Sequence, residues 1–244
     1  MPDWQVLNAR LSVFVTPDTT VPATLWRDLI GEEPESSTMQ RALAMRTDTG
    51  SFADGTLNLH TLPMRIDWVY EPVASFAIEG GLPPVLGPFP GSADPLIQLG
   101  HRWATSGWFP STPRIALGLI LISAVQDRDA GYRELAQFID GVPDASDAQD
   151  FQYQVNRPRP SKSEIEGLRV NRLSKWSVGA FRQFAMQLGT TAPSVGPSQV
   201  HLRLELDINT SEEFSGLIPR AGIESVVEDL LSGALEISER GNHL

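Results

Sequence analysis

The sequence predicts an α+β protein of two pseudo-repeated β-α-β-β-β-α halves, with an antiparallel sheet and helices on one of its faces. Three observations lead there. Leu11-Ser12-Val13-Phe14-Val15 followed by Trp26-Arg27-Asp28-Leu29 returns as Leu117-Gly118-Leu119-Ile120-Leu121 followed by Tyr132-Arg133-Glu134-Leu135, each piece displaced by 106 residues without a gap. Residues 200–210 put Leu202, Leu204, Leu206 and Ile208 on one side and His201, Arg203, Glu205 and Asp207 on the other, the period of a strand with one buried face. Ile223, Val226, Val227, Leu230, Ala234 and Ile237 then form an apolar helical stripe that suits such a face.

The remaining elements follow in order. Residues 6–15 alternate as a strand, and Val21-Pro22 after Thr20, with Gly31 at the far end, predicts the first helix. Strands are expected at 41–48, 56–62 and 64–71; in the last, Met64, Ile66, Trp68 and Tyr70 oppose Arg65, Asp67 and Glu71. Residues 72–91 are broken by Gly and Pro and read as a linker, and Asp94-Pro95 opens a helix with Leu96, Leu99 and Trp103 on one stripe. The first half thus spans residues 1–110 and the second 111–244. Residues 114–123, apolar on both parities, predict a central strand covered on both faces. A helix over 129–140, strands over 151–156 and 168–178, an extension over 179–187 that is either strand or helix, and the strand at 200–210 complete the half. Trp176 is the rough counterpart of Trp68, 108 residues on. Two such halves joined edge to edge resemble TATA-binding-protein-like folds, an analogy of architecture alone.

Composition narrows the function. There is no cysteine, which removes disulfides, thiol catalysis and zinc–thiolate sites. No apolar run approaches the roughly 18 residues of a membrane span, and Met1-Pro2-Asp3-Trp4 does not open a signal peptide, so the expected setting is the bacterial cytoplasm. A net charge of −11 opposes a nucleic-acid backbone as the main partner. Charge is uneven, however: Arg157, Arg159, Lys162, Arg169, Arg172, Lys175 and Arg182 against Glu164 and Glu166 make a local balance of +5, leaving −16 elsewhere.

No phosphate loop, dinucleotide fingerprint or nucleophile elbow is present, and the four histidines lack metal-ligand spacing; no catalytic residue, metal or cofactor is expected. Candidate binding residues are therefore Asn156, Arg157, Asn171, Arg172 and Lys175, whose amides and cations on neighbouring strands would make an anion or carboxylate cradle. Arg65 and Asp67 form a second polar pair, and His201 and Arg203 belong to the polar stripe of the strand at 200–210. A hairpin would bring Arg157, Arg172 and Lys175 to one edge as a strongly positive surface, unless acids such as Asp144, Asp147 and Asp150 pair with them.

Arg114-Ile115-Ala116-Leu117-Gly118, Phe151-Gln152-Tyr153-Gln154-Val155-Asn156-Arg157-Pro158, Asn171-Arg172-Leu173-Ser174-Lys175-Trp176 and Leu204-Glu205-Leu206-Asp207-Ile208-Asn209-Thr210 carry a resemblance. Through them the second half is similar to a sporadically distributed family of uncharacterised bacterial proteins. The resemblance implies a stand-alone bacterial protein and allows a link to mobile or defence genes; it supplies no catalytic residue. The function expected is a non-enzymatic binding or adaptor protein for a macromolecular partner, most readily another protein. Two other readings are an enzyme using Asp67, Glu205 or Asp207 as general base with His201 beside it, and nucleic-acid binding through residues 157–182.

Overall fold

The computed structural model describes residues 2–74, 82–139, 150–185 and 194–241. Among them the chain is α+β: one open antiparallel sheet with four α-helices. The order of elements is β1 (Gln5–Phe14), α1 (Leu25–Ile30), β2 (Ser36–Gln40), β3 (Met45–Phe52), β4 (Gly55–Leu62), β5 (Arg65–Pro72), β6 (Gly87–Pro88) and α2 (Asp94–Thr105), followed by β7 (Arg114–Ala124), α3 (Arg128–Leu135), β8 (Gln152–Asn156), β9 (Arg159–Pro160), β10 (Arg169–Ala185), β11 (Ser194–Thr210) and α4 (Ile223–Arg240). The sheet runs β2-β3-β4-β5-β1-β7-β11-β10-β8, with β6 added beside β1 and β9 beside β10.

The centre of the sheet is the antiparallel pair β1–β7, with Leu11 opposite Leu117 and Val13 opposite Ile115. A bulge at Leu7 switches the parity of β1, so Val6 and Ala9 both reach the core while Asn8 and Arg10 turn the other way. Core-facing residues continue outward in register as Ile66, Trp68 and Tyr70 on β5 and as Leu204, Leu206 and Ile208 on β11. β7 is buried along most of its length on both sides, as its apolar run predicts.

All four helices pack on this one side. Trp26 of α1 lies 5.8 Å from Trp68, and Trp103 of α2 meets Trp68 edge-on at 6.2 Å. Gly100 of α2 lets Leu11 approach so closely that a Cβ there would sit 2.8 Å from it. Gly131 of α3 fits against Val178, and Gly233 of α4 against Ile208. Trp4 and Phe138 enclose Trp176 from the same side.

Several expectations need correction. The strand expected at 41–48 is a hairpin: β2 ends at Gln40, a tight turn spans 41–43, and Ala44 at φ 46° leads into β3. β2 is exposed throughout, so an edge strand of Ser, Thr, Met and Gln left no apolar alternation to read. The first helix is only six residues, beginning after Pro22 rather than with it. Met64 sits exposed at the β4–β5 turn instead of joining Ile66 in the core. Residues 179–185 extend β10; 186–187, like part of the 72–91 linker and residue 140, lie outside the described residues.

Trp68 joins three layers of the core: its own sheet, α1 and α2. Truncation of Trp68 to alanine should cost about 3–5 kcal/mol of unfolding free energy in denaturant titration, whereas a loss under about 1 kcal/mol would mean that the aromatic cluster is not what fastens those helices to the sheet.

Candidate functional site

Among the described residues every helix lies on one side, which leaves the other side of the sheet as an open face, and register assigns its residues. Across the middle run His60, Asp67, Ser12, Ala116, Asn209 and Asn171; the next row carries Asn58, Val69, Arg10, Gly118, Asp207 and Leu173. The described face holds six cations (Arg10, Arg65, Arg114, Arg169, Lys175 and Arg203) against Asp67, Glu71, Glu205 and Asp207. A balance of +2 sets it apart from a chain of −11.

Much of this face is internally wired. Asn156 Nδ2 donates to Asn171 Oδ1 at 3.2 Å, Asn171 Nδ2 to Asn209 Oδ1 at 3.1 Å, and Asn209 Nδ2 to Asp207 Oδ1 at 2.9 Å, an amide ladder across β8, β10 and β11. Arg114 closes it, donating from Nη2 to Asn209 Oδ1 at 2.9 Å while its guanidinium stacks on Phe14. Asn8 and Asn58 donate to the two oxygens of Glu71. Glu205 accepts from Arg203 Nε at 2.8 Å and has Lys175 Nζ at 3.4 Å. Burial alone would raise the Glu205 carboxyl, but the hydrogen bond and charge of Arg203, with Lys175 beside it, outweigh that and lower its pKa. Arg65 Nε lies 2.9 Å from Asp67 Oδ2, while Asp67 Oδ1 and the Ser12 hydroxyl opposite it are buried without a protein partner.

A hollow of about 390 Å³ opens at the centre, floored by Gly118 and walled by Asn8, Ile120, Gln154, Lys175 and Asp207. Arg10 lies flat across the floor: a Cβ on Gly118 would stand 3.3 Å from its Nη2 and 3.4 Å from its Nε. Sequence reasoning passed over Arg10 and Gly118. The signals were there, a charged residue inside the β1 alternation and a glycine within an otherwise aliphatic run, where it marks close approach to the backbone.

The predicted cationic edge is not formed. Residues 172 and 175 differ by an odd number, so they lie on opposite faces of β10, with Arg172 on the helix side and Lys175 on the open face. Arg172 is 6% exposed, with Nη2 3.1 Å from Glu236 of α4. Arg159 reaches Glu236 at 2.9 Å and Asp229 at 3.0 Å, and Lys162 reaches Glu236 at 2.8 Å. Arg169 donates to the Pro158 carbonyl. Helix α4 therefore takes up Arg159, Lys162 and Arg172; Asp144 and Asp147 lie outside the described residues. The Arg157 amide donates to the Arg172 carbonyl.

His201 is on the open face as expected, but buried against Phe181, their rings stacked at 4.3 Å. Burial lowers its pKa and favours the neutral ring. Six residues of strand, about 20 Å, separate it from Asp207, and four, about 13 Å, from Glu205. The structure brings no carboxylate named for general-base chemistry to His201. Among the described residues no group of acids and histidines is arranged to hold a metal ion, and no helix is long and apolar enough to cross a membrane. Comparison with protein families, curated proteins and solved structures finds no match, so function has to be argued from this face.

Burial pushes the Glu236 carboxyl up, but hydrogen bonds from Lys162 and Arg159 and the charges of Arg159 and Arg172 hold it at about 2, from 4.5. A folded pKa below the unfolded one adds stability above about pH 4.5 that is lost as pH falls toward 2. Wild type should therefore lose its advantage over Glu236→Gln across that window; parallel stability curves would contradict the network. Charge reversal at Arg172 should destabilise by about 3–5 kcal/mol at pH 7, because it leaves like charges in a buried pair.

Proposed function

We propose that this is a non-enzymatic binding protein whose open sheet face recognises a protein partner. The observation that carries the reading is the asymmetry of the sheet. One side is sealed by four helices, while the other presents amides, paired charges and a central hollow at nearly neutral balance in a strongly acidic chain. Ordered amide and guanidinium groups on a rigid sheet suit the polar, hydrogen-bonding part of a protein–protein contact. Nucleic-acid binding gains nothing here, since α4 takes up Arg159, Lys162 and Arg172. A bacterial, cytoplasmic setting near mobile or defence genes belongs to the same proposal.

We also propose that residues 1–110 and 111–244 are two versions of one unit, arranged as in TATA-binding-protein-like folds. The offset of 106 equates Leu11 with Leu117, and these two are direct register partners, as a two-fold axis through that pair requires. β1 then α1 and β7 then α3 keep the same strand–helix order, and β5 and β11 flank the central pair. The axis also equates Asp67, opposite Ser12, with Asp207, opposite Gly118. It does not equate Trp68 with Trp176, because β5 adjoins β1 whereas β10 lies one strand further from β7.

The test is capture from the native host at moderate salt. Gln152→Glu with Gln154→Glu, both exposed on the open face of β8, should abolish capture of the specific partner and leave the melting temperature unchanged. Glu224→Lys on the outer surface of α4 should do neither. Loss of the partner on the helix-side change instead, or turnover of a small molecule by purified protein that captures nothing, would refute the reading.

A further inference from the structure

We propose that the central hollow is a carboxylate-binding site in which Arg10 receives one carboxylate of the partner, from an acidic side chain or a chain end. The inference rests on the protein-binding reading and names the chemistry of its centre. Arg10 differs from its neighbours in having no ion pair among the described residues. Arg65, Arg114, Lys175 and Arg203 each have a carboxylate within 4 Å, and Arg114 is held by Asn209 and Phe14 as well. Arg10 Nε is buried with no protein acceptor.

The acids that share the hollow do not supply that acceptor. Glu205 is engaged by Arg203 and Lys175, and Asp207 accepts from Asn209. A buried donor lacking an acceptor costs about 1–3 kcal/mol, and a charged one more. A glycine in the middle of a central strand costs about 0.5–1 kcal/mol as well. Gly118 gives the guanidinium room to lie flat on the strand, which fixes its plane and keeps its fork of donors together. That arrangement suits bidentate capture of a planar carboxylate.

The walls select among anions. Glu205 and Asp207 repel a dianionic phosphate more than a single carboxylate. Asn8 and Gln154 at the rim can hydrogen-bond the polar chain that carries the carboxylate, and Ile120 and Leu173 can pack on its aliphatic part. A hollow of about 390 Å³ holds one side chain or one chain end.

The test is the Arg10 Nε–Hε resonance in the full-length protein, titrated with N-acetyl-glutamate amide, N-acetyl-alanine, N-acetyl-glutamine amide and inorganic phosphate. A saturable shift is expected at a Kd on the order of 1 mM with one or both carboxylates and not with the glutamine amide. The glutamate probe responding alone assigns an acidic side chain; N-acetyl-alanine responding alone assigns a chain end. Gly118→Ala, which wedges the guanidinium off the floor, should weaken binding at least about tenfold. No shift up to about 10 mM, or a response to phosphate with the carboxylates silent, would overturn the proposal even with every variant set aside. Partner capture that survives Arg10→Gln in a folded protein would sink the inference and leave the binding reading standing. Carboxylate binding with no partner recovered would do the reverse.

Discussion

The ladder between β1 and β7 is the constraint on which the rest of the structure depends. Nine residue pairs join the strands, and on either side lie β5 beside β1 and β11 beside β7. Because cross-strand partners share a face, this one register decides which residues enter the core over the whole sheet. A slip of one residue between them would turn one side of the sheet over against the other: with β7 in place, Leu11 and Trp68 would point outward and Arg10 and Asp67 would come under the helices. The bulge at Leu7 belongs to the same constraint, since it allows Val6 and Ala9 to reach the core from one strand.

Charge follows from that division. On the helix side, Arg159 and Arg172 are largely buried against Asp229 and Glu236, where a broken pair is costly and the geometry ties α4 to the edge of the sheet. On the open face, similar groups are half-exposed and wired by hydrogen bonds, each worth about 1 kcal/mol. Their value there lies in fixing positions. Asn156, Asn171 and Asn209 hold their side chains through one another, so the face is ordered before it meets anything. Arg10 is the exception, placed by packing over a glycine and not by an acceptor.

The fold class and most elements were legible because strands with one buried face announce themselves by alternation. Residues 200–210 and 65–71 could be assigned to faces residue by residue, and the stripe of α4 was plain. What escaped was governed by contacts distant in sequence. β2 is an exposed edge, and nothing in Ser36–Gln40 demands burial. Pairing of Arg172 with Glu236 joins groups 64 positions apart, though the parity of 172 and 175 already placed them on opposite faces. The polar stripe on β11 was legible as a row, but its separation into a stacked His201, an ion-paired Glu205 and an amide-bonded Asp207 depends on β10 and β8. Arg10 and Gly118 lie 108 residues apart, and only the central ladder brings them together.

Photocrosslinking in the native host tests the central claim, recognition through the open face, most directly. A benzophenone amino acid in place of Gln154 would project from that face, and one in place of Glu224 from the outer surface of α4. The account predicts a discrete crosslinked species from position 154 and none from 224. A specific crosslink from 224 with silence at 154 would put the partner on the helices and contradict it.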